Sequence, residues 1–462
     1  MNGSATAGSA AGLSLEEALR SARETRALLV GAGVLRETAR IFREQFPGCN
    51  AVVVADEQTY SVAAKPVAEA LQLAGVHCVK PFIFKDPALY AEMRFVEELE
   101  ASLGQHDAVP IAVGSGTVND LTKLAAHRVG RPGYLSVATA ASMDGYTAFG
   151  ASITYRGAKQ TFDCPAPRAV IADIDIIRRA PPEMTASGYA DLAAKLTAGA
   201  DWILADALGV EPIDPRAWAI VQGGLRDGLA DPVGAQSGDA AAITPLVEGL
   251  MLGGFAMQWS KSSRPASGAE HQFSHLWDME HHVHDGIAPS HGFKVGVATL
   301  AITRLYEHLL AYDVEALNPE PCVEFWPEWE RSESLIRQRF AGTDFIETAV
   351  AESRAKYVSG AVVREQLGRL KACWPELRER LAAQLMPSAE LKRRLQLVGA
   401  PTEPEQIGIS RERLRETFTR ACSIRRRFTI LDLSARVGSL SASPLFLPGA
   451  PWEIPRPSRR YD

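Results

Sequence analysis

The chain has 462 residues, of which 46% are hydrophobic and 23% charged, and its formal net charge is −6. This length predicts two or three domains, and the composition is typical of a globular protein. The mildly negative net charge does not show the excess of basic residues that nucleic-acid-binding proteins usually have.

No uninterrupted apolar run approaches the roughly 18 residues that a membrane span needs, and the N-terminus lacks the pattern of a secretory signal. The six cysteines are scattered and form no C-x-x-C pair. This distribution argues against a thiolate zinc site or a disulfide framework and favours reduced thiols in a cytoplasm. We therefore expect a cytoplasmic protein without a membrane span, in which histidine and carboxylate would hold any metal.

The first 180 residues alternate between short apolar runs and helical stretches, after a small polar segment, 1–14, that predicts a disordered tail. The predicted strands are ALLVGAG (strand or turn), NAVVVAD, VHCVKPFIF, VPIAVG and YLSVAT. The predicted helices are EQTYSVAAKPVAEALQLAG, Pro87–Leu103 and VNDLTKLAAHRV. Strands that alternate with helices of this length predict a parallel sheet covered on both faces.

The pattern changes near residue 178, where Pro181 and Pro182 in RRAPPEM mark a boundary. From there to about residue 435 the apolar residues recur at helical spacing. The end, SPLFLPGAPWEIPRPSRRYD, is proline-rich and predicted to be extended. We predict an α/β domain over 15–180, an all-helical domain over 181–440 and a proline-rich tail over 441–462.

A glycine-rich turn, VGSGTVNDLTK, follows one of the predicted buried strands. Gly114 and Gly116 would let backbone N–H groups approach a ligand, and a helix beginning near Val118 would point its positive end there. The arrangement suits a pyrophosphate but is neither G-x-G-x-x-G nor a Walker A loop. A plain tight turn is equally compatible.

Two further segments follow predicted strands and could face a nucleotide. Asp56 ends the strand of VVVADEQTY, where it could accept hydrogen bonds from ribose hydroxyls or cap the next helix. In SVATAASMDGYTAFGAS, the small residues 139–142 leave room for a ring. Asp144, before Gly145, could serve a turn or face a ligand.

Six of the ten histidines lie in SGAEHQFSHLWDMEHHVHDGIAPSHG, residues 267–292. His271 and His275 are four apart and would share one helix face, compatible with two ligands or with one ligand and a neighbour. A solvated histidine-rich surface is the alternative, and H-E-x-x-H is absent. Asp191, in GYADLAAKLTA, is by itself explained as a helix cap or dipole partner.

Taken together and in order, five segments resemble the sn-glycerol-1-phosphate dehydrogenase family: GSGTVNDLTK, SVATAASMDG, GYADLAAKLTAGADW, SGAEHQFSHLWDM and PSHGFKVG. That family belongs to the dehydroquinate synthase, glycerol dehydrogenase and iron-dependent alcohol dehydrogenase superfamily. RRRFTILDLSARVGSL is similar to its longer bacterial branch, and the resemblance spans roughly residues 20–440. It implies a dehydroquinate synthase-like fold, with a Rossmann-like dinucleotide-binding domain before a helical domain that binds metal and substrate, and a homo-oligomer.

The resemblance also implies a role for each matching residue. The metal ligands would be Asp191, His271 and His291. The substrate contacts would be Asp144, Asp191 and His275; Asp191 and His275 would be catalytic, with His275 relaying a proton. The cofactor contacts would be Asp56, Gly114, Gly116, Thr117, Val118, Asn119, Asp120, Thr139, Ala140, Ala141, Ser142 and Ala148. Two positions depart from the family, which often has Ser at Ala148 and His or Asn at Met143. The remaining histidines of the cluster would lie at the surface: His281, His282 and His284.

The implied reaction is the metal-dependent, reversible reduction of dihydroxyacetone phosphate to sn-glycerol 1-phosphate, in glycerophospholipid metabolism. The coenzyme would be NAD(H) or NADP(H), and the metal one divalent ion, zinc or nickel foremost. The alternatives are a glycerol or polyol dehydrogenase with an unphosphorylated substrate, a dehydroquinate synthase, and an inactive nucleotide- and metal-binding regulatory module. Lys159, Lys195 and Lys294 are candidates for the substrate phosphate, although each could be a surface lysine.

Overall fold

The computed structural model describes residues 12–155 and 158–438. Most of the predicted N-terminal tail, 1–14, and all of the predicted proline-rich tail, 441–462, lie outside these residues. Residues 12–14 are described and make definite contacts. The Leu13 N–H donates to the Ala219 carbonyl at 2.9 Å, and Ser14 caps the first helix, Leu15–Ser21, in a capping box with Glu17.

The strands of the first half are β1 (Ala27–Gly31), β2 (Ala51–Asp56), β3 (Phe82–Phe84), β4 (Val109–Gly114), β5 (Leu135–Ala138), β6 (Ala151–Tyr155), β7 (Ala158–Phe162) and β8 (Ala169–Asp173). Within the described residues, six of them form a parallel sheet in the order β1-β8-β5-β4-β2-β3, while β6 and β7 form an antiparallel hairpin. The predicted parallel sheet is therefore confirmed.

Alternate residues of β2 belong to two different hydrophobic cores. Val52 and Val54 pack into one core with Leu121, whereas Val53 and Ala55 pack into the other. Side chains alternate across a strand, so these two cores lie on opposite faces of the sheet. Burial on both faces explains why the strand is a continuous apolar run.

The strand order reverses at β2 and β4, since β3 lies on one side of β2 and β4 on the other. Parallel sheets bind ligands at such a switch point, outside the carboxyl ends of the strands. Val54 pairs with Ala112 across the two strands, so β2 ends at Asp56 beside the end of β4 at Gly114.

Two predicted elements of this half differ from the observed ones, and three observed strands were not predicted. The strand predicted for VHCVKPFIF is reduced to Phe82–Phe84, because Pro81 has no N–H to donate to the ladder. The helix predicted from Pro87 begins at Met93. The β6-β7 hairpin and β8, between residues 151 and 173, form where no strand was predicted.

Helices surround the sheet and make up most of the remainder, as predicted. They are α1 (Leu15–Ser21), α2 (Thr38–Gln45), α3 (Glu57–Thr59), α4 (Lys65–Leu73), α5 (Met93–Leu103), α6 (Gly116–Arg128), α7 (Ile174–Ile177), α8 (Pro182–Ala207), α9 (Pro215–Gly223), α10 (Leu225–Gly228), α11 (Pro232–Ser237), α12 (Ala240–Ser260), α13 (Ala269–Met279), α14 (His291–Ala311), α15 (Pro319–Phe325), α16 (Trp329–Arg339), α17 (Ile346–Lys356), α18 (Gly360–Gln384), α19 (Ser388–Val398), α20 (Arg411–Ala421) and α21 (Ile430–Val437).

The chain forms two compact units. The first comprises Met1–Leu192 and Asp214–Ala266, and the second comprises Ala193–Ile213 and Ser267–Asp462. The sequence-based domain limits, 15–180 and 181–440, stay a prediction, because spatial grouping does not measure which segments fold independently.

The buried carboxylate of Asp201 accepts hydrogen bonds from three segments of the second unit. Its Oδ1 accepts hydrogen bonds from the Tyr306 hydroxyl at 2.6 Å and from the Ile430 N–H at 2.7 Å. Its Oδ2 accepts one from the Ala269 N–H at 2.7 Å. These contacts fix the starts of α13 and α21 on α8.

One helix, α12, is long and apolar enough to cross a membrane by length and composition alone. Two-thirds of that window is buried in the structure. Burial accounts for the apolar composition, because a helix that is hydrophobic all round is found in the core of a large protein as well as in a membrane.

Candidate active site

Three helices bring together a carboxylate and two imidazoles. Asp191 lies on α8, His271 on α13, and His291 is the first residue of α14. One ligand atom of each residue lies within 4.8 Å of the others, and no second group of this kind occurs among the described residues. Two imidazoles and one carboxylate fit a divalent metal ion and leave coordination positions open for a substrate.

Asp191 is fully buried in the interior of α8, nine residues after its start at Pro182. Capping of the helix N-terminus therefore does not explain it. Its Oδ2 accepts a hydrogen bond from the Asp144 N–H at 3.1 Å. Asp144, predicted from the resemblance to contact substrate, thus lies beside the candidate metal group.

Glu270 orients His271, and sequence reasoning missed it. Its Oε1 lies 2.8 Å from Nδ1 of His271; it also accepts from the Gly268 N–H, and Oε2 accepts from the Thr197 hydroxyl. Burial alone would raise the pKa of Glu270, but these hydrogen bonds, including the one with His271, hold the pKa below its ordinary value. An ionised carboxylate only accepts, so Nδ1 carries the proton and Nε2 is left for a metal.

The histidines of the cluster are not equivalent. The ring of His275 lies 6.2 Å from those of His271 and of His291, measured between centroids. His275 is therefore a neighbour of the candidate metal group and not a member of it. Helical spacing alone favoured His271 and His275 as a pair of metal ligands. The structure instead places His271 in a group with His291, twenty residues further along the chain.

The expectation that His282 lies at the surface is wrong. His282 is buried, its Nε2 lies 2.6 Å from the Ile407 carbonyl, and the Arg413 guanidinium donates to its Nδ1 at 2.8 Å. Burial and the charge of Arg413 lower its pKa despite the bond to Ile407. His281 is exposed and His284 is half-exposed, as expected of surface residues.

One glycine of the predicted phosphate turn is required by close packing. A Cβ on Gly114 would lie 2.5 Å from Cβ of Val118, whereas one on Gly116 would lie 2.6 Å from the end of the flexible Met143 side chain. The helix after the turn begins at Gly116, two residues before the predicted start. Its N-terminus lies at the sheet's switch point, where backbone N–H groups favour a phosphate.

The predicted cofactor residues differ in how far their side chains are already engaged. Asp56 caps α3 by accepting from the Thr59 N–H at 2.7 Å, the structural alternative considered for it. The carbonyl oxygen of the Asn119 side chain accepts from Tyr134 and Ser136, so a contact between Asn119 and a dinucleotide would use its backbone. Asp120 accepts from the Ser152 N–H at 3.2 Å.

The small-residue loop after β5 packs directly against two helices. A Cβ on Gly188 of α8 would lie 2.0 Å from the Ala141 carbonyl, and one on Gly254 of α12 would lie 2.0 Å from the Thr147 hydroxyl. Ala140 and Ala141 are buried. Helix backbones therefore press on this loop and determine its path.

Lys123 fixes the segment from Gly145 to Gly150, and sequence reasoning missed this residue as well. It is fully buried, and its Nζ donates to the carbonyls of Gly145, Ala148 and Gly150 at 3.1, 3.1 and 2.9 Å. Ala148, predicted at the nicotinamide, is thus fixed through its backbone. The available sequence signal was a lysine inside the otherwise apolar run LTKLAA.

Two of the lysines considered for the substrate phosphate are not at the surface. Lys195 and Lys294 are almost completely buried, and Lys294 forms an ion pair with Asp278. Lys195 lies one helical turn after Asp191 on α8, so the two share a helix face. Lys159 lies on β7.

Comparison with known proteins finds an alcohol dehydrogenase family model and several glycerol-1-phosphate dehydrogenase relatives. A family model of iron-containing alcohol dehydrogenases matches residues 29–181. A glycerol-1-phosphate dehydrogenase [NAD(P)+] of Halalkalibacterium halodurans is 36% identical over 58% of this chain and 67% of the relative. One of Geobacillus stearothermophilus is 30% identical over 82% and 85%, and one of Methanosarcina barkeri is 36% identical over 61% and 76%.

Solved structures share the fold at low sequence identity. A probable glycerol dehydrogenase from Sinorhizobium meliloti has a TM-score of 0.56 at 17% identity, covering 90% of this chain and 97% of that one. The glycerol dehydrogenase of Schizosaccharomyces pombe has a TM-score of 0.57 at 17% identity, covering 90% and 89%. At this identity the likeness concerns the fold alone.

The relatives, together with the parallel sheet and the Asp–His–His group, define the class of protein: an NAD(P)-dependent oxidoreductase that acts on a CH–OH group. Within that class, the chain belongs to the glycerol-1-phosphate dehydrogenase family of the iron-containing alcohol dehydrogenase superfamily.

Proposed function

We propose that this enzyme reduces dihydroxyacetone phosphate to sn-glycerol 1-phosphate, reversibly, with NADH or NADPH, in the cytoplasm, and so supplies glycerophospholipid synthesis. The observation that carries the proposal is the group of buried Asp191 and His271 with half-buried His291, in a chain of the glycerol-1-phosphate dehydrogenase family. We further propose these three residues as ligands of one divalent metal ion, zinc or nickel.

The substrate would bind with its ketone oxygen towards the metal group. A divalent ion held there would polarise the ketone and stabilise the negative charge that develops on its oxygen. Asp191 would also border the substrate, and the Asp144 N–H bound to Asp191 supports a place for Asp144 beside it. The fixed helices α8, α13 and α14 would keep these groups in one geometry.

His275 would move the proton that the reaction requires. A bound nicotinamide would supply hydride to the carbonyl carbon, so the carbonyl oxygen would have to gain a proton. His275 lies half-buried on the same helix face as His271, with its ring close to those of both histidine ligands. An imidazole titrates near neutral pH, so it can give a proton in reduction and accept one in the reverse direction.

The dinucleotide would bind at the switch point of the sheet. The N–H groups at the start of α6 would face the pyrophosphate, and Asp56 would face the ribose. Residues 139–142 would lie along the cofactor and bring its nicotinamide towards Ala148. The packing of Ala141 on Gly188, and of Thr147 on Gly254, supports such a role, because the protein restrains the path of this segment.

The test is a substrate panel on the full-length enzyme, with metal content measured on the same sample. NADH and NADPH oxidation would be followed with dihydroxyacetone phosphate and with dihydroxyacetone, and the reverse reaction with both enantiomers of glycerol phosphate and with glycerol. We expect kcat/KM for the phosphorylated ketone to exceed that for dihydroxyacetone by at least about 100-fold. Preference for glycerol would instead favour a polyol dehydrogenase, and inactivity on every substrate a regulatory module.

A further inference from the structure

An apolar cavity of about 1020 Å³ lies within the second unit, apart from the candidate active site. Residues of α15, α16, α20 and α21 line it, and none of the proposed metal, substrate or cofactor residues does. Its size is that of a cavity that binds a drug-sized molecule or a peptide segment. The proposed reaction gives it no role.

One wall of the cavity is a fixed aromatic surface. The Trp326 and Tyr357 rings stack at 6.2 Å, and Trp329 meets Tyr357 edge-on at 5.4 Å. The polar groups of two of these rings form hydrogen bonds to the backbone. Trp326 Nε1 donates to the Val358 carbonyl at 2.8 Å, and the Tyr357 hydroxyl donates to the Pro327 carbonyl at 3.0 Å. The aromatic faces are thereby held in position to contact an apolar partner.

Next to this wall, Phe325 also lines the cavity and is 85% exposed. Single exposed apolar side chains are common, but an exposed phenylalanine that continues an aromatic wall and an apolar cavity makes a contiguous patch. Patches of this kind are usually covered by a partner or a ligand.

The described part of the chain ends at this cavity. Val437 and Gly438 line it, and the Val437 carbonyl accepts a hydrogen bond from the thiol of Cys322, which also lines it, at 3.4 Å. The 24 residues that follow are SLSASPLFLPGAPWEIPRPSRRYD. Residues 439–452 carry no charge and include Leu445, Phe446 and Trp452, and Pro448 and Pro451 form a P-x-x-P motif.

We propose that residues 439–462, the C-terminal segment of the same chain, dock in this cavity through the apolar stretch 444–452. Proline-rich segments bind aromatic-lined grooves, because their restricted backbone loses little entropy on binding and prolines pack on flat rings. The segment is covalently attached at the rim, so its local concentration is in the millimolar range, and weak contacts suffice.

The length and the charge of the C-terminal segment are both compatible with its docking in the cavity. At about 3.1 Å per residue, nine residues in a polyproline conformation extend about 28 Å, enough to cross a cavity of about 1020 Å³. The cavity borders Arg339, Arg415 and Arg436, and the uncharged stretch brings no cation against them. The basic residues of the segment, Arg456, Arg459 and Arg460, come after that stretch.

The first experiment uses the thiol of Cys322 as a reporter in the full chain. Maleimide labelling of Cys322 would be followed by peptide mass spectrometry in the unmodified enzyme, in Phe446→Asp and Trp452→Asp, and in Ser458→Asp as the matched control. If the segment covers the cavity, both aromatic substitutions increase the labelling rate at least several-fold and the control does not. Equal rates in all four proteins would overturn the proposal.

A second experiment maps the contact directly. Cysteine would be introduced singly at Leu445, Phe446, Leu447 and Trp452 in the full chain, and mild oxidation followed by peptide mapping. We expect at least one position to form a disulfide with Cys322 or Cys422, both of which line the cavity, within one chain and independently of protein concentration. The cross-link to Cys322 must vanish in Cys322→Ser.

The other outcomes argue against the proposal. Disulfides between two chains, increasing with protein concentration, would assign the cavity to a second copy of the protein. No cross-link to either cavity cysteine, together with unchanged Cys322 labelling, would leave the cavity to a small apolar ligand.

Discussion

The carboxylate of Glu270 accepts a hydrogen bond from Nδ1 of His271 at 2.8 Å, and the Ser274 hydroxyl lies 3.3 Å from Nδ1 of His291. Both histidines therefore use the same ring nitrogen for an outer partner, which leaves Nε2 of each for a metal. Such partners fix the ring orientation and typically account for 10–100-fold in metal affinity.

Asp191→Ala should remove the metal. The substitution deletes the single carboxylate of the group, so metal content and activity should both fall by more than the roughly 10–100-fold that an outer partner accounts for. Metal analysis and NADH oxidation on the same preparation measure this. Glu183→Ala, an exposed position on the same helix, is the control, and normal metal content in Asp191→Ala would rule out the assignment.

His275→Ala should keep the metal and lose turnover. Loss of a general acid or base typically lowers kcat by about 10²–10⁴-fold, so turnover should fall by that factor while the metal content stays normal. His281→Ala, in the same cluster but exposed, should behave as the unmodified enzyme. A metal-free His275→Ala protein would mean that His275 is a ligand.

Resemblance to a family, and not spacing, singled out Asp191 and His291. Helical periodicity relates residues that are three or four positions apart in the sequence. Asp191 and His271 are eighty residues apart and come together only through the packing of α8 on α13. Glu270 and Lys123 were missed for a related reason. A sequence does not show that a charged side chain is buried, and burial is what gives these two their roles.

At the scale of elements, the Lys123 ammonium connects α6 to the segment that follows Asp144. It replaces water for three carbonyls, of Gly145, Ala148 and Gly150. A residue acting in this way positions the loop without touching the cofactor.

Lys123→Met should loosen that segment while keeping the buried aliphatic volume. Leaving buried acceptors without their donor costs about 1–3 kcal/mol, so the free energy of unfolding should fall by roughly that amount and KM for NADH should rise. Urea unfolding and a fluorescence titration with NADH measure the two effects. Lys65→Met, exposed on α4, is the control; a loss of stability with unchanged NADH binding would contradict the positioning role.

The alternation of strands and helices made the sheet predictable, since buried strands such as β2 and β4 are short apolar runs bounded by polar turns. The β6-β7 hairpin was not predictable in the same way. Its first strand, ASITY, alternates apolar and polar residues over only five positions, and its second strand, AKQTF, is mostly polar. The hairpin contacts α6 through the Ser152 N–H, which donates a hydrogen bond to Asp120.

For the whole molecule, buried His282 predicts lower stability in acid. Burial, together with the Arg413 charge, lowers its pKa in the folded state, while the unfolded chain has the ordinary value of about 6.5. Below that pH the unfolded state binds the extra proton, so the stabilisation is complete above about pH 6.5 and is lost as the pH falls towards the lower folded pKa.

His282→Gln should remove this part of the pH dependence. Melting temperatures of metal-free protein at about pH 7.5 and 5.5 should differ less in the variant than in the unmodified chain. His106 and His308, whose pKa values are also lowered by burial, remain in both proteins and cancel in the comparison. An identical pH dependence in the two proteins would show that folding does not lower the pKa of His282.

Helix α12, apolar along its whole length, also bears on how the chain is made. The elements that pack most extensively on it, α1, β1, the turn at Gly145–Thr147, α7, α9, α10 and α11, all precede it in the sequence. During synthesis from the N-terminus, every one of these partners has left the ribosome before α12 does. The order of these segments along the chain thus limits the time during which the 21-residue apolar helix is exposed to chaperones or to a membrane.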